Sequence, residues 1–361
     1  MSERIFNFSS GPAAMPLPVL ERAQREILSI YDSGMSVMEI SHRSKIFESI
    51  LTKAELGIRE LLGVPLDYRI LFLQGGASLQ FSMIPMNFLT NGIAEYVITG
   101  SWGKKALAEA AMVGRVNTIF SSEKSGFCSV PVAGEVLVSA DATYVHYTSN
   151  ETIDGVQFGY ELRAGTVPVV CDMSSDILSK PLEIENYALI YAGAQKNIGP
   201  SGATVVIIRD EMLERVASGL PSVLDYRALA LNNSMVNTPN TWAIYMIGLV
   251  CDWLGEQGGL AAMEIRNNEK AAVLYEAIDS SDGYYVGHAE TSARSVMNVT
   301  FRLPTEELED KFCSEATSNG LDGLRGHRSV GGIRASIYNA FPRAGVDALV
   351  DFMKDFALRN G

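Results

Sequence analysis

An apolar run, a glycine-rich turn and a helix follow one another repeatedly in the first third of this chain. Tyr68–Leu73 leads into Gln74-Gly75-Gly76-Ala77-Ser78 and a helix predicted over Leu79–Leu89. Ala94–Thr99 leads into Gly100-Ser101-Trp102-Gly103 and a helix predicted over Lys104–Val113. Further apolar runs stand at Tyr144–Thr148, Val167–Cys171, Ala188–Ala192 and Thr204–Ile208. Strands that are apolar throughout must be covered on both faces, and the helices between them do the covering. The expectation is a mainly parallel α/β sheet flanked by helices. Helices are also predicted over Pro18–Tyr31 and Ser44–Leu62. After about residue 257 the pattern changes to a long helix (Leu260–Ile278), an alternating strand (Ser295–Phe301), another helix and strand, and a final helix near Val346–Leu358. This tail reads as a smaller α+β unit. We expect a large α/β domain over 17–257 and a small α+β domain over 258–361, joined by the N-terminal segment 1–16.

Composition narrows the function. The 361 residues carry a net charge of −13. That balance argues against nucleic acid as the main partner, since phosphate backbones need a basic footprint. Any anionic substrate must then meet a local cluster of arginines and histidines. Cys128, Cys171, Cys251 and Cys313 are widely spaced with no CxxC, so reduced thiols are expected. The N-terminal residues show no signal peptide, and no window approaches about 18 uninterrupted apolar residues. A cytoplasmic protein with no membrane partner is expected, and no metal.

Lys196 lies in Ala192-Gly193-Ala194-Gln195-Lys196-Asn197-Ile198-Gly199-Pro200-Ser201-Gly202, between two apolar strands. A lysine so placed loses hydration and its pKa falls, which makes the neutral amine accessible for a Schiff base with an aldehyde such as pyridoxal phosphate (PLP). The alternative is a solvated lysine in a hairpin loop. Asp172 ends the preceding strand, on the same rim of the sheet. A carboxylate there can pair with a pyridine nitrogen, or simply cap a helix. The Gly75-Gly76-Ala77-Ser78 turn opens a helix and suits an anion, although Gly-Gly also makes ordinary tight turns. It is neither GxGxxG nor a P-loop. Trp102 can stack on a flat ring or wedge into the core. The Thr152 hydroxyl can contact a ring substituent or cap a turn. Two histidines directly precede an arginine, in Ser41-His42-Arg43 and in Gly326-His327-Arg328-Ser329-Val330-Gly331-Gly332-Ile333-Arg334. Such pairs suit a dianion, since arginine reads phosphate and carboxylate bidentately. The alternative is surface ion pairing of little energetic weight.

Taken together, these segments resemble the phosphoserine aminotransferase family of fold-type-I PLP enzymes. The resemblance runs through Asn7–Ala13, Ser41–Arg43, Gln74–Ser78, Thr99–Trp102, Ser149–Gly155, Cys171–Ser175, Ala192–Gly202, Asn237–Pro239 and Gly326–Asn339. It implies that Lys196 binds PLP and moves the proton, that Asp172 pairs with the pyridine nitrogen, and that Trp102 stacks on the ring. It implies that Thr152 contacts the 3′-oxygen and that Gly76, Ala77 and Gln195 hold the cofactor phosphate. Asn237 and Thr238 would reach that phosphate from a neighbouring subunit, which makes the protein a homodimer with shared sites. Arg334 would bind the substrate α-carboxylate. His42, Arg43, His327 and Arg328 would bind the distal phosphate or carboxylate, with His42 and Arg43 from the partner subunit. The implied reaction moves an amino group between L-glutamate and 3-phosphooxypyruvate, giving O-phospho-L-serine and 2-oxoglutarate. A second activity on 4-phosphohydroxy-L-threonine in pyridoxine synthesis is also implied. Some family members carry an arginine where this chain has Ala77-Ser78, which removes one cationic contact here. The rivals are a cysteine desulfurase, an alanine–glyoxylate type aminotransferase and a noncatalytic protein of the same fold. A desulfurase needs a reactive cysteine on a mobile loop, and none of the four lies in an obvious Gly/Ser-rich catalytic loop near Arg334. A nonphosphorylated substrate would leave two His-Arg pairs without a task. A noncatalytic protein would be expected to lose Lys196 or Asp172, and both are present.

Overall fold

A computed structural model describes residues 4–361. Seven strands form the central sheet. Across it they run Tyr68–Leu73, Thr204–Arg209, Leu189–Gly193, Val169–Asp172, Tyr144–Thr148, Ala94–Ile98 and Val116–Ser121. Thr204–Arg209 is antiparallel to both of its neighbours, and every other pair in the sheet is parallel. The cause is the short connection from Gly193 to Thr204. A parallel crossover needs a dozen or more residues, usually with a helix, and this loop has no room for one. The chain therefore turns straight back, and Lys196 sits in that turn.

Both sheet faces are covered. On one face Phe47, Ile58, Tyr147, Ile190 and Val205 pack with the helices Lys45–Leu62 and Thr241–Glu256. On the other, Phe81, Tyr96, Tyr144, Tyr191 and Val206 pack with the helices Gly76–Phe88 and Ser101–Ala111. A third core gathers Phe8, Leu274, Phe301, Phe312 and Phe356 around the antiparallel strands Val286–Gly287, Asn298–Arg302 and Ile333–Ser336. The long helix Gly259–Asp279 links the two bodies: Leu260 and Met263 pack in the first core, Ala271 and Leu274 in the third. The N-terminal segment joins the smaller body, since Phe6–Asn7 pairs in parallel with Leu321–Asp322.

Several expected boundaries move. The first helix spans Leu17–Glu26 and does not reach Tyr31. Ser29 is extended, and Ile30 leaves the helical path to become fully buried in a short 3₁₀ turn, Ile30–Asp32. The helices after the two glycine turns start earlier than predicted, at Gly76 and Ser101. Gly76, Ala77 and Trp102 therefore belong to helix N-termini, where backbone N–H groups lack intrahelical partners. The edge strand Val116–Ser121 was not anticipated. Its exposed residues Asn117 and Thr118 break any apolar run. The strand expected over Ser295–Phe301 begins at Asn298. The Ser295 hydroxyl instead accepts the N–H groups of Met297 (3.1 Å) and Asn298 (2.9 Å).

Candidate active site

Thr148, Asp172 and Gly193 end their strands on one rim of the sheet, the ligand-facing edge of an open α/β fold. Asp172 is buried, and its Oδ1 accepts from Ser174 N at 2.9 Å and Ser174 Oγ at 2.6 Å. Ser174 Oγ in turn accepts from Gly193 N at 3.0 Å. No helix follows Asp172, so its carboxylate caps a turn and ties two strand ends together. Burial pushes its pKa up, while the Lys196 charge and the Ser174 hydrogen bonds pull it down.

The Lys196 ammonium donates to Thr152 Oγ1 at 2.7 Å and lies 5.4 Å from the centre of the Trp102 ring. Loss of hydration lowers its pKa, opposed by the Asp172 and Glu151 charges and reinforced by Arg334. The N-terminal loop lies against this lysine. Ala13 N donates to Gln195 O at 2.9 Å, and a Cβ on Gly11 would sit 3.5 Å from Lys196 Cγ.

Two buried acids hold the helix that carries Trp102. Glu151 Oε2 accepts from Trp102 N at 2.9 Å, Glu151 Oε1 from Gly103 N at 2.8 Å, and Asp154 Oδ2 from Ser101 N at 2.9 Å. They satisfy three N–H groups of a helix end, where negative charge is favoured. Only glycine fits at position 100, since a Cβ there would come within 2.4 Å of Glu151 Cγ. Burial, with Asp154 beside it, pushes the Glu151 carboxyl up to about 8. The other helix end differs: Gly75 (φ 90°) leads into Gly76–Phe88 with no side chain capping it. Its open N–H groups suit an anion.

Arg334 is buried on the strand Ile333–Ser336. Its Nη2 donates to Ser10 Oγ at 2.8 Å and its Nη1 to Thr152 O at 3.4 Å, while Nε is buried with no partner. The loop before it closes on itself through Gly326 N to Gly332 O at 2.8 Å. His327 Nδ1 lies 2.7 Å from Ser329 Oγ. Arg328 is exposed, and among the described residues its side chain forms no hydrogen bond or ion pair. Asn237 Nδ2 donates to Gln74 Oε1 at 3.3 Å, and Gln74 Nε2 donates to Thr238 O at 3.0 Å, beside the Gly75-Gly76 turn. His42 and Arg43 stand in the turn before Lys45–Leu62 and form no hydrogen bond with Lys196, Arg334 or the 326–332 loop.

The class-V aminotransferase family matches residues 5–349. The chain belongs to this family. It is 56% identical to the phosphoserine aminotransferase of Geobacillus kaustophilus over 99% of both chains, and 54% identical to that of Laribacter hongkongensis over 99% of both. The solved phosphoserine aminotransferase from Bacillus circulans subsp. alkalophilus matches with a TM-score of 0.98 at 49% identity, over the full length of both chains. The PLP-bound phosphoserine aminotransferase from Trichomonas vaginalis matches at 0.92 and 44%, over 97% of this chain and all of that one. An alanine–glyoxylate aminotransferase from Nostoc shares the fold at 0.75 with 15% identity, covering 99% of this chain and 96% of that one.

The residues of this aminotransferase fit PLP, the family's cofactor. The rim offers a desolvated amine, a buried carboxylate, an indole and an uncapped helix end, each complementary to one part of that molecule. Two buried donors, Arg334 Nε and Trp102 Nε1, lack protein partners. Buried donors are rarely left so, and a polar ligand answers them. Four residues that shape the site were not singled out from the sequence: Ser10, Ser174, Glu151 and Asp154. Glu151 and Asp154 flank Thr152 in the chain, and acids so close to a strand end were the available signal. Ser10 and Ser174 act through single hydroxyls, which leave no pattern.

Proposed function

We propose that this aminotransferase moves the amino group between L-glutamate and 3-phosphooxypyruvate, giving O-phospho-L-serine and 2-oxoglutarate for L-serine synthesis. One observation carries the reading: a cationic loop holding His327 and Arg328, with Arg328 unpaired among the described residues, stands just before the buried Arg334 in a chain of net charge −13. A nonphosphorylated short amino acid would not use it.

PLP, when bound, supplies an electron sink for the carbanion at the substrate Cα. The chain supplies the rest. Lys196 Nζ would hold the cofactor and serve as the base that takes the proton from the substrate Cα and passes it on; its lowered pKa keeps it available for this. Asp172 would pair with the pyridine nitrogen and keep it protonated. Trp102 would lie against the ring, and Thr152 would hold the 3′-oxygen. Gly76, Ala77 and Gln195 bind the cofactor phosphate, together with Asn237 and Thr238 of the partner subunit. Arg334 takes the α-carboxylate, fixing Cα against Lys196. His327 and Arg328, with His42 and Arg43 of the partner subunit, take the distal anion. The same cations would serve 4-phosphohydroxy-L-threonine as a side activity.

A homodimer accounts for the isolation of His42 and Arg43 within one chain. It also accounts for the exposed Leu28, Tyr31, Met35 and Met38 just before them, apolar surface that suits an interface. The four free thiols accord with a cytoplasmic location. A half-reaction screen tests the substrate. The PLP-loaded protein should lose its visible band fastest with O-phospho-L-serine. Faster conversion with alanine, aspartate or cysteine would reject the proposal.

A further inference from the structure

Lys105 stands one helical turn after Trp102, facing the site. It lies in the second turn of Ser101–Ala111, toward the positive end of the helix, where a cation is disfavoured. Lys104 beside it pairs with Glu123. Lys105 has no carboxylate partner among the described residues, in a chain with 42 acidic residues against 29 basic ones. Its stem folds back so that the ammonium lies 4.1 Å from the centre of the Trp102 ring. A surface lysine without a partner normally extends into water. This one is held at the edge of the site by an indole.

The distances decide what it can touch. Lys196 Nζ lies 5.4 Å from the same ring centre, so the two ammonium groups are at most 9.5 Å apart, the sum of the two separations. In O-phospho-L-serine, four bonds of about 1.5 Å separate the amino nitrogen from phosphorus. In glutamate, four similar bonds separate it from the distal carboxylate carbon. A charge-assisted contact adds about 2.8 Å. An amino acid whose nitrogen lies at Lys196 thus carries its distal anion to within reach of Lys105. The flexible lysine stem can swing the ammonium from the indole to a ligand oxygen. Lys105 also belongs electrostatically to the distal cations: with Arg334 and Arg328 it disfavours the charged form of His327, whose pKa is lowered mainly by burial.

We propose that Lys105 is a substrate-binding residue whose ammonium takes the distal phosphate of O-phospho-L-serine and the distal carboxylate of glutamate, beside His327 and Arg328. This rests on the phosphoserine reading above. It also supplies, from the Trp102 helix, a cation that the Ala77-Ser78 turn lacks.

The test uses the PLP-loaded protein with Lys105→Met and Lys105→Arg. Two readouts are taken: the half-saturation for O-phospho-L-serine relative to L-serine in the half-reaction, and calorimetric binding of inorganic phosphate. Lys105→Met should raise the phosphoserine-to-serine ratio roughly tenfold and weaken phosphate to a similar degree, the scale of one charged hydrogen bond. Lys105→Arg should hold both near the wild-type values. An unchanged ratio with unchanged phosphate affinity would overturn the proposal, as would equal losses for phosphoserine and serine. Failure of the wild type to convert phosphoserine would instead overturn the functional reading on which it rests.

Discussion

The floor of the site and its rim are built by opposite rules. On the floor, each charged group is buried or half-buried and held: Asp172 by Ser174, Lys196 by Thr152, Arg334 by Ser10, and the Trp102 helix by Glu151 and Asp154. On the rim, Arg328 and Lys105 are exposed and pair with no carboxylate among the described residues, and in the proposed dimer His42 and Arg43 would join them. The floor handles the Cα of an amino acid, which is the same in every substrate, so its geometry is set in advance. In the proposed reaction the rim would meet the distal group, which alternates between a phosphate and a carboxylate. Cations left unpaired and flexible can serve both.

The comparison breaks most visibly at the floor. Lys196→Ala should lower turnover by roughly 10⁴-fold or more, the scale of removing a covalent catalytic group, measured as kcat with saturating substrate. Borohydride reduction should fix the cofactor on Lys196 of the native protein; a label on another lysine would contradict its role. Asp172→Asn should reduce kcat by about 10²-fold to 10³-fold with a smaller change in KM, as expected for electrostatic support of the reacting system. A smaller effect concerns pH. The Lys196 pKa lies below the free-lysine value of 10.5, so the neutral amine is present at lower pH than in solution. The rate at which apoprotein captures PLP should rise with pH and level off below 10.5, read by absorbance. The smallest effect is on stability. Folding raises the Glu151 carboxyl from 4.5 to about 8, so the native state keeps a proton that the unfolded chain releases. The stability from this group is full below 4.5 and is lost as pH rises through about 8. Glu151→Gln removes that dependence. The Tm advantage of the wild type over the variant should therefore shrink between pH 5 and pH 9, by about a few degrees.

The floor was more legible in the sequence than the rim. Lys196 and Asp172 stand at the ends of apolar strands, and strands of that kind fix which rim their ends share. Gly76 and Trp102 stand in short glycine-rich stretches between an apolar run and a helix. What the sequence hid were contacts between segments far apart in the chain. Ser10 meets Arg334 across 324 positions, and Glu151 meets the Trp102 helix across 49. Such pairs follow from how the two bodies and the N-terminal loop close on one another, which no local spacing encodes. The antiparallel turn at Lys196 was partly legible. From the sequence alone the hairpin at Lys196 is only the alternative, and the short span between the apolar runs ending at Ala192 and starting at Thr204 is the signal that favours it.

The division between floor and rim is tested most directly by Arg328→Ala in the half-reaction. The ratio of kcat/KM for O-phospho-L-serine to that for L-serine should fall by about 10-fold to 100-fold, the size of a lost charged contact to phosphate. An unchanged ratio, with both substrates slowed alike, would show that the rim does not choose the substrate and would contradict the account.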